Sequence, residues 1–367
     1  MRFKARGPLA IAIVAGCSVA LAACSSSSST SAASSSPPAS SQASASGSGS
    51  GITIDLGTQQ LHFPAGTKPK IAMFAGSGIA YQSAYQAELP ALKAKYGISI
   101  TYYDSKFDPT TQLDQIRSAI QGKQFNAFLV ENYSGSSACT LLTQQAPAAG
   151  IVVSQLDNPT CDQATKPAGS EFWTPGTLNS IGAESTVTYY TSWAREAKAL
   201  LGAGSHQVAV IDGPPLVAAT KNMDSAMANN GITPVADVNS DYTTPTALKL
   251  TANVLQSHPG IDAIFSVGPD VTVGIVTALK QAGKKPGQVK VFEVGGAKQN
   301  AGLIQAGWLT MSVPYTPKTI IDTAVDQLIL AFQGKQGPHY LDALNAGTSA
   351  SPYQITGKTV GSYQFEY

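Results

Sequence analysis

From Lys70 onward, short apolar runs alternate with longer segments in which apolar residues recur at helical spacing. The runs cover 71–75, 98–103, 127–130, 151–156, 207–211, 233–238, 263–267, 289–294 and 309–313. Most are rich in β-branched residues and show little apolar–polar alternation, the pattern of strands buried on both faces of a parallel sheet. The segments between them read as amphipathic helices. Asp108-Pro109 supplies an N-cap and a proline at the first helical position, and Leu113, Ile116 and Ile120 follow on one face. Ala247, Leu250, Val254 and Leu255 make a second stripe, and Ile320, Ile321, Ala324, Val325 and Leu328 a third. Such stripes pack on a sheet. The alternation predicts an α/β fold of parallel sheets covered by helices on both faces. The strands are too many for one small sheet and the pattern pauses across 158–177, so two lobes are expected. Phe172 and Trp173, inside that pause, are expected to pack onto their own domain.

Upstream of Lys70 the character of the chain changes. Arg2, Lys4 and Arg6 precede an apolar run over 9–19 and then Leu21-Ala22-Ala23-Cys24, the order of an export signal. The run is too short for a stable membrane span. Leu-Ala-Ala-Cys resembles the lipobox of bacterial lipoproteins, which implies cleavage after residue 23, acylation of Cys24 and an anchor on the outer face of the cytoplasmic membrane. Residues 25–51 are almost wholly Ser, Ala, Gly and Pro. That composition buries little apolar surface and makes a flexible tether with a reach on the order of 25–30 Å. The signal is therefore placed at 1–23, and the tether and lead-in at 24–66. Cys17 leaves with the signal. Cys139 and Cys161 remain, either bridged in an oxidising compartment or as two buried thiols.

Charge and motifs narrow the function. Removing Arg2, Lys4 and Arg6 leaves 20 basic against 22 acidic residues, with no basic stripe, so nucleic acid is not an expected partner. Gly76-Ser77-Gly78 follows a strand, but Tyr81 stands where a dinucleotide-binding turn needs its third glycine. Gly357-Lys358-Thr359 has Pro352 where a phosphate loop needs glycine. The four histidines, His62, His206, His258 and His339, lie at no evident catalytic position. No enzyme, cofactor or metal site is expected.

Ligands of open parallel sheets bind in the crevice beyond the carboxyl ends of the strands. Those ends carry Gly76-Ser77-Gly78 with Tyr81 and Gln82, then Glu131-Asn132, then Asp157-Asn158. Farther along come Asp212, Asp241-Tyr242, Asp270, Glu293 and Tyr315. Carboxylates and amides that take hydroxyl groups, beside aromatic faces that cover C–H surface, suit a sugar.

The order of these segments resembles the type I periplasmic-binding-protein family, specifically its ribose-like sugar-binding branch, over about residues 70–338. The fragments that carry the likeness are Lys70-Ile71-Ala72, Tyr103-Asp104-Ser105, Val152-Val153-Ser154-Gln155-Leu156-Asp157, His258-Pro259-Gly260-Ile261-Asp262-Ala263-Ile264-Phe265 and the helix over 274–283. The resemblance implies two doubly wound lobes joined by three hinge crossings, with 67–183 plus 314–338 in the first and 184–313 plus 339–367 in the second. It implies a monomer that clasps a small polar solute, a sugar foremost, and passes it to an ABC-type importer permease. A sensor reporting to a signalling receptor, or a binder of a non-sugar solute, would use the same fold.

Asp157 falls where the family has a sugar-binding aspartate, Tyr242 where it has a stacking aromatic, and Tyr81 and Gln82 near its first aromatic pair. The second lobe departs from the pattern. Thr220-Lys221-Asn222-Met223 stands in place of an arginine, Gly268-Pro269-Asp270 in place of Asn-Asp, Glu293-Val294-Gly295-Gly296 in place of Gly-Phe-Asp, and Tyr315 in place of a glutamine. Lysine cannot supply a planar bidentate fork, so ribose itself is not implied. The expected ligand contacts are Asp157, Tyr81, Gln82, Tyr242, Asp270, Glu131, Asn158, Glu293, Tyr315 and Lys221.

Overall fold

Each of the nine apolar runs overlaps a strand in the computed structural model. It describes residues 51–158, 160, 161, 166, 170–182, 184–215, 217–342 and 353–367. The signal, Cys24 and the tether lie outside them. In chain order the elements begin with β1 (Ile52–Asp55), β2 (Gln60–Phe63), β3 (Lys70–Ala75), α1 (Ala80–Tyr96), β4 (Ser99–Asp104), α2 (Pro109–Gly122), β5 (Ala127–Val130), α3 (Ala146–Ala148), β6 (Val152–Leu156) and β7 (Asn179–Ile181). They continue with α4 (Val187–Leu201), β8 (Val208–Asp212), α5 (Ala218–Asn229), β9 (Ala236–Asn239), α6 (Thr244–Ser257), β10 (Ala263–Ser266), α7 (Pro269–Gln281), β11 (Lys290–Gly295), α8 (Ala301–Gln305), β12 (Met311–Pro314), α9 (Pro317–Phe332) and β13 (Tyr340–Leu341).

Two parallel sheets result, ordered β4-β3-β5-β6-β7-β13 and β9-β8-β10-β11-β12. Central strands such as β5, β6 and β10 are buried on both faces, as uninterrupted apolar runs require, whereas the edge strands β4, β9 and β13 are partly exposed. In each sheet the order doubles back beside the first strand, between β3 and β5 and between β8 and β10. These are the switch points at which a crevice opens. The chain enters the second lobe after β7 and returns through β12 into α9, whose stripe of Ile320, Ile321, Ala324, Val325 and Leu328 is fully buried in the first lobe's core. Helix α2 starts as its sequence demands, with Asp108 accepting from the Thr111 backbone N–H at 2.6 Å and Pro109 next.

The sequence reading missed three features. The lead-in over 24–66 contains the antiparallel hairpin β1–β2, whose Ile54, Leu56 and Leu61 enter the first lobe's core. Short β7 extends the first sheet. The segment assigned from residue 339 to the second lobe starts in the first, because β13 pairs in parallel with β7. Among the described residues of the tail, Ile355 bridges to Ser312 of the second lobe, while Glu366 accepts from Lys318 and Thr319 at the start of α9. Trp173 stacks on His339 at 3.9 Å, away from the crevice, and Phe172 is buried. Cys139 and Cys161 are joined by a disulfide with their Cα atoms 4.7 Å apart.

Candidate functional site

The two switch points face one another across a cavity of about 60 Å³, measured as the space open to the centres of water-sized spheres. Adding the water radius of ~1.4 Å makes this roughly 200 Å³ of filled space, or about seven waters at ~30 Å³ each. One monosaccharide-sized ring is the natural occupant of such a volume.

The first lobe contributes a fixed polar wall. Gln82, in the first turn of α1, donates from Nε2 to both oxygens of Glu131 at 3.0 and 3.1 Å and reaches the Tyr133 hydroxyl at 3.3 Å. That hydroxyl also accepts from the Gly76 N–H at 3.0 Å. Gln112 holds the strand end from behind, donating to the Glu131 carbonyl and accepting from the Tyr133 N–H. Asp157, just past β6, accepts from the Ser185 N–H at 3.1 Å. Burial with no facing cation pushes the Glu131 carboxyl up to about 8 and Asp157 up to about 6.

At the hinge stands Glu184, a fully buried carboxyl that the sequence reading did not single out. It accepts from the Tyr81 hydroxyl at 3.0 Å and from the backbone N–H and hydroxyl of Thr316. Burial first, and then the neighbouring Asp157 charge, raise its pKa well above the usual carboxyl value. Tyr315 follows β12 and pairs hydroxyl to hydroxyl with Tyr190 of α4 at 2.6 Å.

Aromatic rings close the remaining sides. Phe107 meets Tyr133 at 5.2 Å between ring centres and Tyr242, from the other lobe, at 5.5 Å. Two glycines make room for them. A Cβ on Gly76, at the end of β3, would lie 2.5 Å from the Phe107 ring, and one on Gly213, at the end of β8, would lie 2.4 Å from the Tyr242 hydroxyl. Gly76 therefore serves ring packing rather than a phosphate turn. Of the six non-glycine residues with left-handed backbone among the described residues, three line the cavity: Phe107, Asp157 and Tyr242, at φ of 57°, 53° and 64°. Each costs of order 1–2 kcal/mol, so the fold spends conformational strain where the cavity walls are shaped.

Across the rim, Asp270 in the first turn of α7 accepts from the Ala80 N–H at 3.0 Å. Ile79 is the N-cap residue of α1 and has no side-chain acceptor, so the opposite lobe caps this helix.

Eight of the ten expected contacts thus come together: Tyr81, Gln82, Glu131, Asp157, Asn158, Tyr242, Asp270 and Tyr315. Glu293 and Lys221 do not. Glu293 lies inside β11 and is buried under its helices, bonding Asn300 and Ser312. Lys221 is exposed on the outer side of α5. Asp212 and Asp241 also turn away, the first accepting from Gly213 N–H and the second from Thr243 and Thr246. Phe107, Tyr133 and Tyr190 line the cavity without having been foreseen. Tyr133 was within reach of the strand-end rule, only two residues past Glu131, whereas Phe107 and Tyr190 follow longer turns that sequence spacing does not resolve.

Comparisons with known proteins agree with this architecture. The family model described as "Periplasmic binding protein domain" matches residues 72–336. A ribose import binding protein of Bacillus subtilis is 24% identical over 245 residues, covering 66% of this chain and 74% of that protein. The crystal structure of a galactofuranose binding protein superposes with a TM-score of 0.68 at 17% identity, covering 80% of this chain and 96% of the other. An ABC transporter periplasmic solute binding protein of Actinobacillus succinogenes, with bound D-allose, gives 0.66 at 20% identity, with 81% and 100% covered. At these identities the two structural likenesses concern the fold.

Proposed function

Since the chain belongs to the periplasmic-binding-protein family, in its ribose-like branch, we propose that it captures a sugar between its lobes outside the cytoplasm and delivers it, chemically unchanged, to an ABC-type importer. One observation carries the reading: buried carboxyl and amide acceptors at the first lobe's strand ends face aromatic rings from both lobes across a monosaccharide-sized cavity. The relatives named above, a ribose importer component and a protein with bound D-allose, support the sugar and the importer. The lipobox at Cys24 and the tether behind it support anchoring to the outer face of the membrane.

In this mechanism the first lobe's polar wall takes the ring, and Tyr242 and Asp270 arrive as the lobes close. The guest favours the closed form only by as much as it binds that form better, so contacts from both lobes are required. Thermal-shift assay of the purified protein against aldopentoses, aldohexoses, amino sugars and inositols tests the reading. A guest at one hundred times its Kd adds about 2.7 kcal/mol of stability and raises Tm visibly. Absence of any shift across the panel, or chemical conversion of the bound sugar, overturns it. Loss of uptake of the identified guest in a strain lacking the protein tests the importer step.

A further inference from the structure

Resting on the sugar-binding reading, we infer that the guest is a cationic sugar: a polyhydroxylated ring bearing a protonated amine, such as an amino sugar or an aminocyclitol. Glu131, Asp157 and Asp270 line the cavity, and Glu184 stands directly behind it on the Tyr81 hydroxyl. Among the described residues lining the cavity there is no Lys, Arg or His. The positive end of α1 serves Asp270, through the Ala80 N–H, and leaves Glu131 and Asp157 facing no cation. A buried wall holding carboxyls and no cation disfavours their charged forms, so Glu131 and Asp157 keep their protons to about pH 8 and about 6 in the empty protein, and a cationic guest is what would let them ionise. The balancing charge is left for the guest to bring.

The hydrogen-bond inventory points the same way. Both hydrogens of the Gln82 amide are directed at Glu131 and Tyr133, and its Oε1, fully buried, has no partner. Asn158 Oδ1 is likewise buried and unpartnered. The unmet groups are thus acceptors. A hydroxyl donates once and brings lone pairs of its own to satisfy, whereas an ammonium donates three times and accepts nothing. Phe107, Tyr133 and Tyr242, packed ring to ring at 5.2 and 5.5 Å, line the same cavity, and aromatic rings attract a cation within about 6 Å.

Isothermal titration at pH 7 with matched trios decides the matter: the 2-amino, 2-acetamido and 2-hydroxy forms of glucose, galactose and mannose. A parallel pair sets an aminocyclitol against myo-inositol. The expected result is that at least one free amine binds ten or more times tighter than its neutral partners. That preference should fall below threefold in the double variant Glu131→Gln, Asp157→Asn, whose folding is checked by its thermal transition. Equal or tighter binding of the neutral sugars overturns the inference and leaves the sugar-binding function standing. A preference that survives in a folded double variant overturns it too. No binding by any member of this panel overturns the inference, and the sugar-binding function is then decided by the wider thermal-shift panel.

Discussion

In the first lobe Gly76 ends β3 and yields its space to Phe107, which follows β4; in the second, Gly213 ends β8 and yields its space to Tyr242, which follows β9. The two halves of the crevice repeat one plan up to this point and then diverge. Glu131 and Asp157 of the first lobe face the cavity, as does Asp270 of the second, whereas the second lobe's Asp212 and Glu293 are fully buried away from it, Glu293 bonded to Asn300 and Ser312 and Asp212 to the Gly213 N–H. On the proposed function, recognition rests mainly on the first lobe. The second contributes the Tyr242 ring and the Asp270 contact to Ala80, and its buried acids, Asp212 and Glu293, stay out of the cavity.

Four experiments break or sharpen that contrast. The largest effect is on pH. Glu131 faces Gln82, Tyr133, Tyr102 and Asp157, and its carboxyl rises from 4.5 in the unfolded chain to about 8 in the fold. A raised carboxyl pKa contributes stability that is present below the unfolded value and is lost as pH climbs towards the folded one. Urea unfolding of the empty protein should lose on the order of 3–5 kcal/mol from this group between pH ~4.5 and ~8. E131Q should remove that share of the slope, and an unaltered slope would place the titration elsewhere. Next is the bridge between Cys139 and Cys161, which closes a loop across 22 residues of the first lobe. Its reduction should cost about 3 kcal/mol, read as a drop in denaturant midpoint that Cys→Ser substitution of both residues reproduces.

The third experiment reads the contrast directly through two variants. Glu293→Ala leaves the donors of Asn300 and Ser312 unmet and should cost about 2 kcal/mol of stability while leaving guest affinity unchanged. Asp157→Ala should do the reverse, weakening affinity at least tenfold, ~1.4 kcal/mol, with folding intact. Calorimetry and thermal melts on the pair would abolish the distinction if both variants lost affinity alike. The smallest effect belongs to Asp270→Asn, which keeps a weaker acceptor for the Ala80 N–H. A change of less than about 1 kcal/mol in guest affinity is expected, with a larger mean radius for the empty protein in solution scattering.

Much of this was legible in the chain. Uninterrupted apolar runs marked the central strands because strands buried on both faces need no alternation. The strand-end rule then brought eight contacts to one cavity. Its failures have a common cause: the rule locates a backbone, not the direction of a side chain. Glu293 sits within β11, which runs on to Gly295, so its carboxyl enters the helix layer rather than the crevice. Lys221 occupies the outward face of a helix whose inward face was the relevant one. Glu184 escaped notice because it follows a three-residue strand too short to announce itself. The hairpin β1–β2 did announce itself, with Ile52, Ile54 and Leu56 alternating ahead of Gly57, but the low-complexity tether beside it masked the signal.

The borrowed cap on α1 has a consequence for traffic at the membrane. Because Ile79 offers no acceptor, the Ala80 donor is met by protein only while the jaws touch and by water once they part. Such an exchange is nearly even in free energy, so on the proposed reading this contact would do little to hold vacant molecules open. An importer that recognised outline alone would then be visited by vacant copies as well as loaded ones. Flux would follow the ratio between them, and abundant protein in lean medium would slow delivery instead of speeding it.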